Sequence, residues 1–217
     1  MKIVCIIPAR LGSYRFNNKP LVNICGKTMI EHVYKRAKMS DLISEVYVAT
    51  PNVEIKNVVE GFGGVAIMTS GSARRASDRV AEAARDIDAD IIVDLQGDEP
   101  LVNPDMISLA VQPMIEDNSV ECVCLARKVD YEVAKDRNEV KVAFDKNNNA
   151  LFFSREAVPS KWMGDKQFPY YSIVVVMPYT KKSLEKYSSL ESTPLEIIES
   201  IDMLRFLENG YKIRIVE

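Results

Sequence analysis

The sequence predicts a single α/β domain built on an open, doubly wound, mostly parallel sheet. Two patterns carry this prediction. Short continuous apolar runs alternate with amphipathic stretches of helix length as far as residue 95, which is the signature of strands connected by covering helices. The first and last of these runs also open directly into loops rich in charge, where ligands of such sheets bind. The chain has 217 residues, 47% hydrophobic and 27% charged, an ordinary globular balance with enough length for a well-buried core.

Residues 2–7 form a continuous apolar run ending at Pro8, as expected of a central parallel strand. Residues 28–39 place Met29, Ile30, Val33 and Ala37 at helical spacing. Residues 45–49 read as a second strand, 53–62 as a helix closed by Gly63 and Gly64, and 65–68 as a third strand. A helix over 77–87 with Ser77 as its N-cap leads into a buried strand over 91–95.

The second half changes character. Residues 121–127, 140–144 and 150–154 are β-rich, with a hairpin turn at 145–149. Residues 172–177 read as one further strand, 179–187 as a helix, and 194–207 as a single helix with Thr193 as N-cap and Gly210 beyond its end. With no linker or repeat, residues 1–217 read as one domain. Residues 1–120 mainly serve one ligand, and 121–210 form a β-rich region for a second ligand and for oligomerisation.

Composition excludes several functions. A net charge of −3 argues against coating nucleic acid. The four cysteines lack metal-site spacing and read as buried reduced thiols, with Cys122 and Cys124 on one strand face. The lone histidine, His32, lies in the first helix and reads as a packed or capping residue. The opening MKIVCIIPAR is too short an apolar run for a leader or membrane span. A cytoplasmic protein is expected.

The loop after the first strand holds Arg10, Arg15 and Lys19, with Pro8, Ala9, Gly12 and Ser13 offering backbone groups. Several cations on different sides suit a triphosphate and the departure of pyrophosphate. Neither Gx4GK[ST] nor GxGxxG follows the strand, so a P-loop or dinucleotide site is disfavoured. The run over 91–95 opens into Gln96-Gly97-Asp98-Glu99-Pro100. A carboxylate exposed there by a glycine is placed to hold Mg²⁺, which takes one or two protein carboxylates beside substrate phosphates. The plainer readings are a solvated basic loop and a polar turn.

The pattern PAR-x-x-S-x-R-x-x-x-KPL resembles the N-terminal signature of the CMP-Kdo synthetases, cytidylyltransferases that act on the sugar acid 3-deoxy-manno-octulosonate (Kdo) and have the nucleotide-diphospho-sugar transferase fold. Gly26-Lys27-Thr28-Met29-Ile30, QGDEP, Ala150-Leu151-Phe152-Phe153-Ser154-Arg155 and Pro194-Leu195-Glu196-x-x-Glu199 are similar to further motifs of that family. The resemblance implies CTP as substrate, Arg10 and Lys19 as triphosphate ligands, and Pro8, Ala9, Ser13, Arg15 and Arg79 as nucleotide contacts. It implies Asp98 as the Mg²⁺ ligand and Gln96, Arg155, Tyr171, Glu196 and Glu199 as acceptor contacts. A homodimer and a role in lipopolysaccharide biosynthesis are implied likewise. The implied reaction is in-line attack by the anomeric hydroxyl of a 2-keto sugar acid on the α-phosphate of CTP.

The pattern also departs from the family. The family's second metal-binding aspartate would fall beyond Glu217, so either the sequence is truncated or the metal site is incomplete, and truncation is the expectation. Arg75-Ala76 replaces a Ser-Gly pair near the base. Tyr171 stands for a histidine, and the apolar run Val174-Val175-Val176 replaces polar acceptor groups. The acceptor is therefore expected to be Kdo or a relative such as an amino or deoxy variant. A same-fold enzyme of acylneuraminate or phosphonate type, or a non-catalytic nucleotide binder, remains open.

Overall fold

The computed structural model describes residues 1–12, 16, 18–162 and 168–217. The first part runs β1 (Ile3–Pro8), β2 (Asn23–Ile24), β3 (Lys27–Thr28), α1 (Met29–Ala37), β4 (Glu45–Thr50), α2 (Val53–Gly61), β5 (Ala66–Met68), α3 (Ala76–Ala84), β6 (Ile91–Leu95) and α4 (Pro104–Glu116). The second runs β7 (Val123–Val129), α5 (Tyr131–Ala134), β8 (Lys141–Phe144), β9 (Ala150–Ser154), β10 (Tyr170–Val174), β11 (Val176–Thr180), α6 (Lys181–Ser189), α7 (Pro194–Glu199), α8 (Met203–Glu208) and β12 (Arg214–Val216).

One five-stranded sheet has the order β11-β6-β1-β4-β5, parallel except for the antiparallel edge strand β11. All six residues of β1 are buried, as a strand covered on both faces requires. Its side chains alternate: Ile3, Cys5 and Ile7 join one core with α1, α2 and α4, while Val4 and Ile6 join another with α3, α6 and the second sheet. That sheet, β12-β7-β10-β8-β9, is mixed, with only the β12–β7 pair parallel. The chain leaves the first sheet after β6, builds most of the second, and returns through β11 to pair with β6.

Several boundaries differ from the expectation. The strand expected over 172–177 is two strands, β10 and β11, divided at Val175 where the chain passes between sheets. The helix expected over 194–207 is α7 and α8, separated by Ser200 in the left-handed region at φ 54°. Helix α3 begins one residue early; Arg75, not Ser77, is its N-cap, and the Asp78 carboxylate accepts the Arg75 backbone N–H at 3.0 Å. Thr28 caps α1, accepting from the Glu31 N–H at 3.4 Å. Cys5, Cys122 and Cys124 are buried, whereas Cys25 is exposed in the β2–β3 turn. His32 is packed as expected, its Nε2 2.7 Å from the Ile24 carbonyl oxygen.

Candidate active site

The site lies at the carboxyl ends of β1 and β6. A cleft of about 460 Å³ is lined there by Arg10, Ser77, Arg79, Asp94, Gln96 and Arg155, among others. A smaller hollow of about 180 Å³ adjoins it, with Lys19 opposite Gln96, Gly97 and Asp98. Pro8, Ala9 and Arg10 belong to both.

Gly97 lets these two strand ends approach, because a Cβ there would lie 2.9 Å from the Pro8 carbonyl oxygen. Asp98 follows, half-exposed, and its Oδ2 accepts from the Lys19 ammonium at 2.5 Å. Arg10 is exposed and forms no ion pair with a described residue. Arg79 is buried at 4% exposure and donates to the Thr69 hydroxyl at 2.8 Å and the Ser70 carbonyl at 3.3 Å. Burial, then the neighbouring Arg10 charge, lowers its pKa. Two guanidiniums repelling one another at a strand end create a potential that an anion relieves.

Arg155, expected to face the acceptor, lines the cleft and is held in place by backbone. Its Nε donates to the Glu199 carbonyl at 2.7 Å, and its terminal nitrogens donate to the carbonyls of Arg137 and Ser200 at 2.9 and 3.1 Å. The Glu199 carboxylate accepts the Arg155 backbone N–H at 2.8 Å. Lys141, fully buried, spends its three donors on the carbonyls of Asp136, Glu139 and Arg155 at 2.7, 2.6 and 2.6 Å. Burial lowers its pKa, and that carbonyl cage is what an interior ammonium requires.

Three expected acceptor residues lie elsewhere. The Tyr171 hydroxyl donates to Glu217 and its ring packs edge-on against Phe144 at 4.8 Å, away from the cleft. The β10–β11 residues that line the cleft are Ile173, Val175 and Met177. Glu196 is wholly buried and accepts from Arg205 Nε and a terminal nitrogen at 2.9 and 2.7 Å and from Arg75 Nε at 3.2 Å. Glu199 is absent from the cleft lining and sits behind Arg155. Ser13 and Arg15 lie outside the described residues, and Pro8, Ala9, Arg10, Lys19, Arg79, Gln96, Asp98 and Arg155 gather around the two hollows.

The sequence reading missed Asp94, Asp202 and Arg75. Asp94, 1% exposed, accepts from the Ser77 hydroxyl at 2.9 Å and from Gln96 Nε2 at 3.2 Å. A polar residue inside the apolar run of β6 was the available signal. Burial, with the nearby Asp202 charge, pushes its pKa up to about 7. The folded state therefore binds this proton more tightly than the unfolded chain, and stability contributed here falls as pH rises from about 4. Asp94→Asn is expected to flatten the loss between about pH 4 and 7, where each unit costs up to about 1.4 kcal/mol. Urea unfolding of both proteins across that range measures it; parallel curves would contradict a buried, titrating Asp94.

The fold and these cations gathered about a half-exposed carboxylate fit a nucleotidyltransferase. The family model described as "Cytidylyltransferase" matches residues 4–213. A 3-deoxy-manno-octulosonate cytidylyltransferase from Syntrophus aciditrophicus is 44% identical, covering 100% of this chain and 89% of its own. An 8-amino-3,8-dideoxy-manno-octulosonate cytidylyltransferase from Shewanella pealeana is 40% identical over 99% of this chain and 89% of its own. A solved CMP:2-keto-3-deoxy-manno-octonic acid synthetase complexed with CTP superposes with a TM-score of 0.94 at 36% identity, covering 100% of this chain and 90% of that one. The chain belongs to the CMP-Kdo synthetase family of cytidylyltransferases.

Proposed function

We propose that this chain transfers CMP from CTP to the anomeric hydroxyl of a 2-keto sugar acid, either Kdo or an amino-substituted relative, and releases pyrophosphate. The observation that carries this reading is the cluster of Arg10 and Arg79 lining one cleft with Asp98, which Lys19 pairs at the ends of β1 and β6. Arg10 and Lys19 bind the triphosphate and stabilise charge on the departing pyrophosphate. Arg155, pinned by three carbonyls, presents its remaining N–H groups to the acceptor carboxylate. Gln96 orients the acceptor beside it.

Asp98 fits a divalent cation. It is a half-exposed carboxylate at a strand end that already carries a cation, the Lys19 ammonium, and Mg²⁺ needs few protein ligands where phosphates and water complete its shell. Asp98 would hold the ion, which would supply Lewis-acid polarisation of the phosphate. Lys19, beside Asp98, is placed to bind phosphate oxygens. Asp98 is the residue assigned to the ion.

A homodimer is proposed from the apolar side chains that α7 leaves exposed, Ile197 at 59% and Ile198 at 81%. Among the described residues no helix is long and apolar enough to cross a membrane. A cytoplasmic enzyme supplying activated sugar acid for lipopolysaccharide assembly is proposed from the family alone.

Pyrophosphate release with Mg²⁺, each of the four NTPs and a panel of 2-keto sugar acids tests the proposal. Release is expected only with CTP and an acid together. Silence throughout, with nucleotide still bound, would make the chain a non-catalytic binder. Arg10→Ala is expected to raise the KM for CTP about 30-fold and the acceptor KM less than threefold. Equal changes in both constants would remove Arg10 from the triphosphate.

A further inference from the structure

The cleft is cationic where the triphosphate and the acceptor carboxylate are assigned, yet its floor carries two carboxyl groups. Asp94 lines it from β6 and Asp202 from the start of α8. The two carboxylates are close enough that the Asp202 charge perturbs Asp94. Asp202 has a cation partner, Arg75 Nε at 3.7 Å. Asp94 has none among the described residues, only the neutral donors Ser77 and Gln96.

A buried carboxylate without a cation is costly, and such groups are normally paired. Of the other cations of the cleft, Arg10 is the one assigned to the triphosphate, and three more are engaged by protein groups. Arg75 bonds Glu196 and Ser200, Arg79 bonds Thr69 and Ser70, and Arg155 is held by carbonyls. The walls beside Asp94 are Ile173, Val175 and Met177, the last directly opposite it in the β11–β6 pairing. These give nothing to a ring of hydroxyls, so Asp94 is the polar anchor on that side.

Resting on the cytidylyl-transfer reading above, we infer that Asp94 pairs with an ammonium substituent on the acceptor. The preferred substrate is then a 2-keto sugar acid with an amino group replacing one hydroxyl. Its carboxylate meets Arg155 and its ammonium meets Asp94, so each end of a zwitterion finds the opposite charge. The Asp94 carboxyl, raised to about 7, ionises readily once a cation lies beside it. A hydroxyl in that position gains no charge-assisted bond from the carboxyl, which makes the site discriminate.

The test compares kcat/KM of the full chain, with CTP and Mg²⁺, for Kdo and for amino-substituted acids bearing the amine at the terminal carbon or at a ring carbon. One amino acid is expected to be favoured over Kdo by about 30-fold, the worth of a charge-assisted hydrogen bond. Asp94→Asn is expected to bring that ratio below about threefold, a change that a merely structural Asp94 would not produce. Calorimetric Kd values for the same acids on the CTP-bound wild-type protein read the preference even if the variant fails to fold. Preference for Kdo in the wild type, or an unchanged ratio in the variant, would overturn the inference while leaving cytidylyl transfer intact. No pyrophosphate with any acid would instead strike the reaction itself, and a calorimetric ratio near one would then also remove the role of Asp94.

Discussion

Asp98→Asn is expected to lower kcat with CTP at least about a hundredfold while leaving the fold intact. The substitution keeps the side chain's volume and removes one negative charge from the carboxylate that Lys19 bridges at 2.5 Å. Both partners are partly exposed, 35% and 46%, so losing the ion pair itself should change stability by less than about 1 kcal/mol. The loss therefore belongs to chemistry, and the variant should require more Mg²⁺ to reach half its remaining rate. Thermal unfolding and a Mg²⁺ titration of the rate separate the two effects. Near-wild-type turnover would remove Asp98 from the reaction.

Glu196→Ala is expected to cost about 3 kcal/mol of stability. Glu196 is fully buried and joins Arg205 and Arg75, tying α7 to α8 and to the start of α3. Arg205, 2% exposed, has Asp78 at 2.7 Å as its other ionic partner and lies over the Tyr187 ring at 4.4 Å. Removing Glu196 leaves that guanidinium undercompensated in the interior. For a chain of this length the loss corresponds to a fall in Tm of roughly 6–12 °C. Burial alone would raise the Glu196 carboxyl, but the bonds and charge of Arg205 outweigh it and the pKa lies below normal. Its stabilisation is therefore present above about pH 4 and lost as pH falls through the lowered value. The gap between variant and parent should narrow in acid, as denaturant unfolding at neutral and acid pH will measure. A gap that widened in acid would contradict the ion network.

Both residues show what sequence can and cannot carry. Asp98 was legible because the apolar run before it marks a central strand and Gly97 marks a close approach, so local pattern and fold class agree. Arg10 and Lys19 were legible for the same reason. Glu196 was read as an acceptor contact only because Pro194-Leu195-Glu196-x-x-Glu199 resembles a family motif. Its partner Arg75 lies 121 residues away, and no local pattern records that pairing. The division of β10 from β11 falls within an apolar run that carries no turn residue, and the break after α7 uses Ser200 where glycine would have announced it. Helix α4 went unread although Asn103 and Pro104 mark its start and Ile107, Ala110, Val111 and Met114 follow at helical spacing. Asp94 was hidden for a different reason. A single carboxylate in a buried strand gains meaning only when Ser77, Gln96 and Asp202 are seen converging on it.

The most direct test of the central claim follows the oxygen atoms. An acceptor labelled with ¹⁸O at its anomeric hydroxyl, incubated with CTP, Mg²⁺ and the enzyme, should yield a CMP-linked sugar acid carrying the label in the bridge to phosphorus. Unlabelled pyrophosphate should appear in equal amount. Label in the pyrophosphate, or a bridge free of label, would contradict attack by the anomeric hydroxyl on the α-phosphate of CTP.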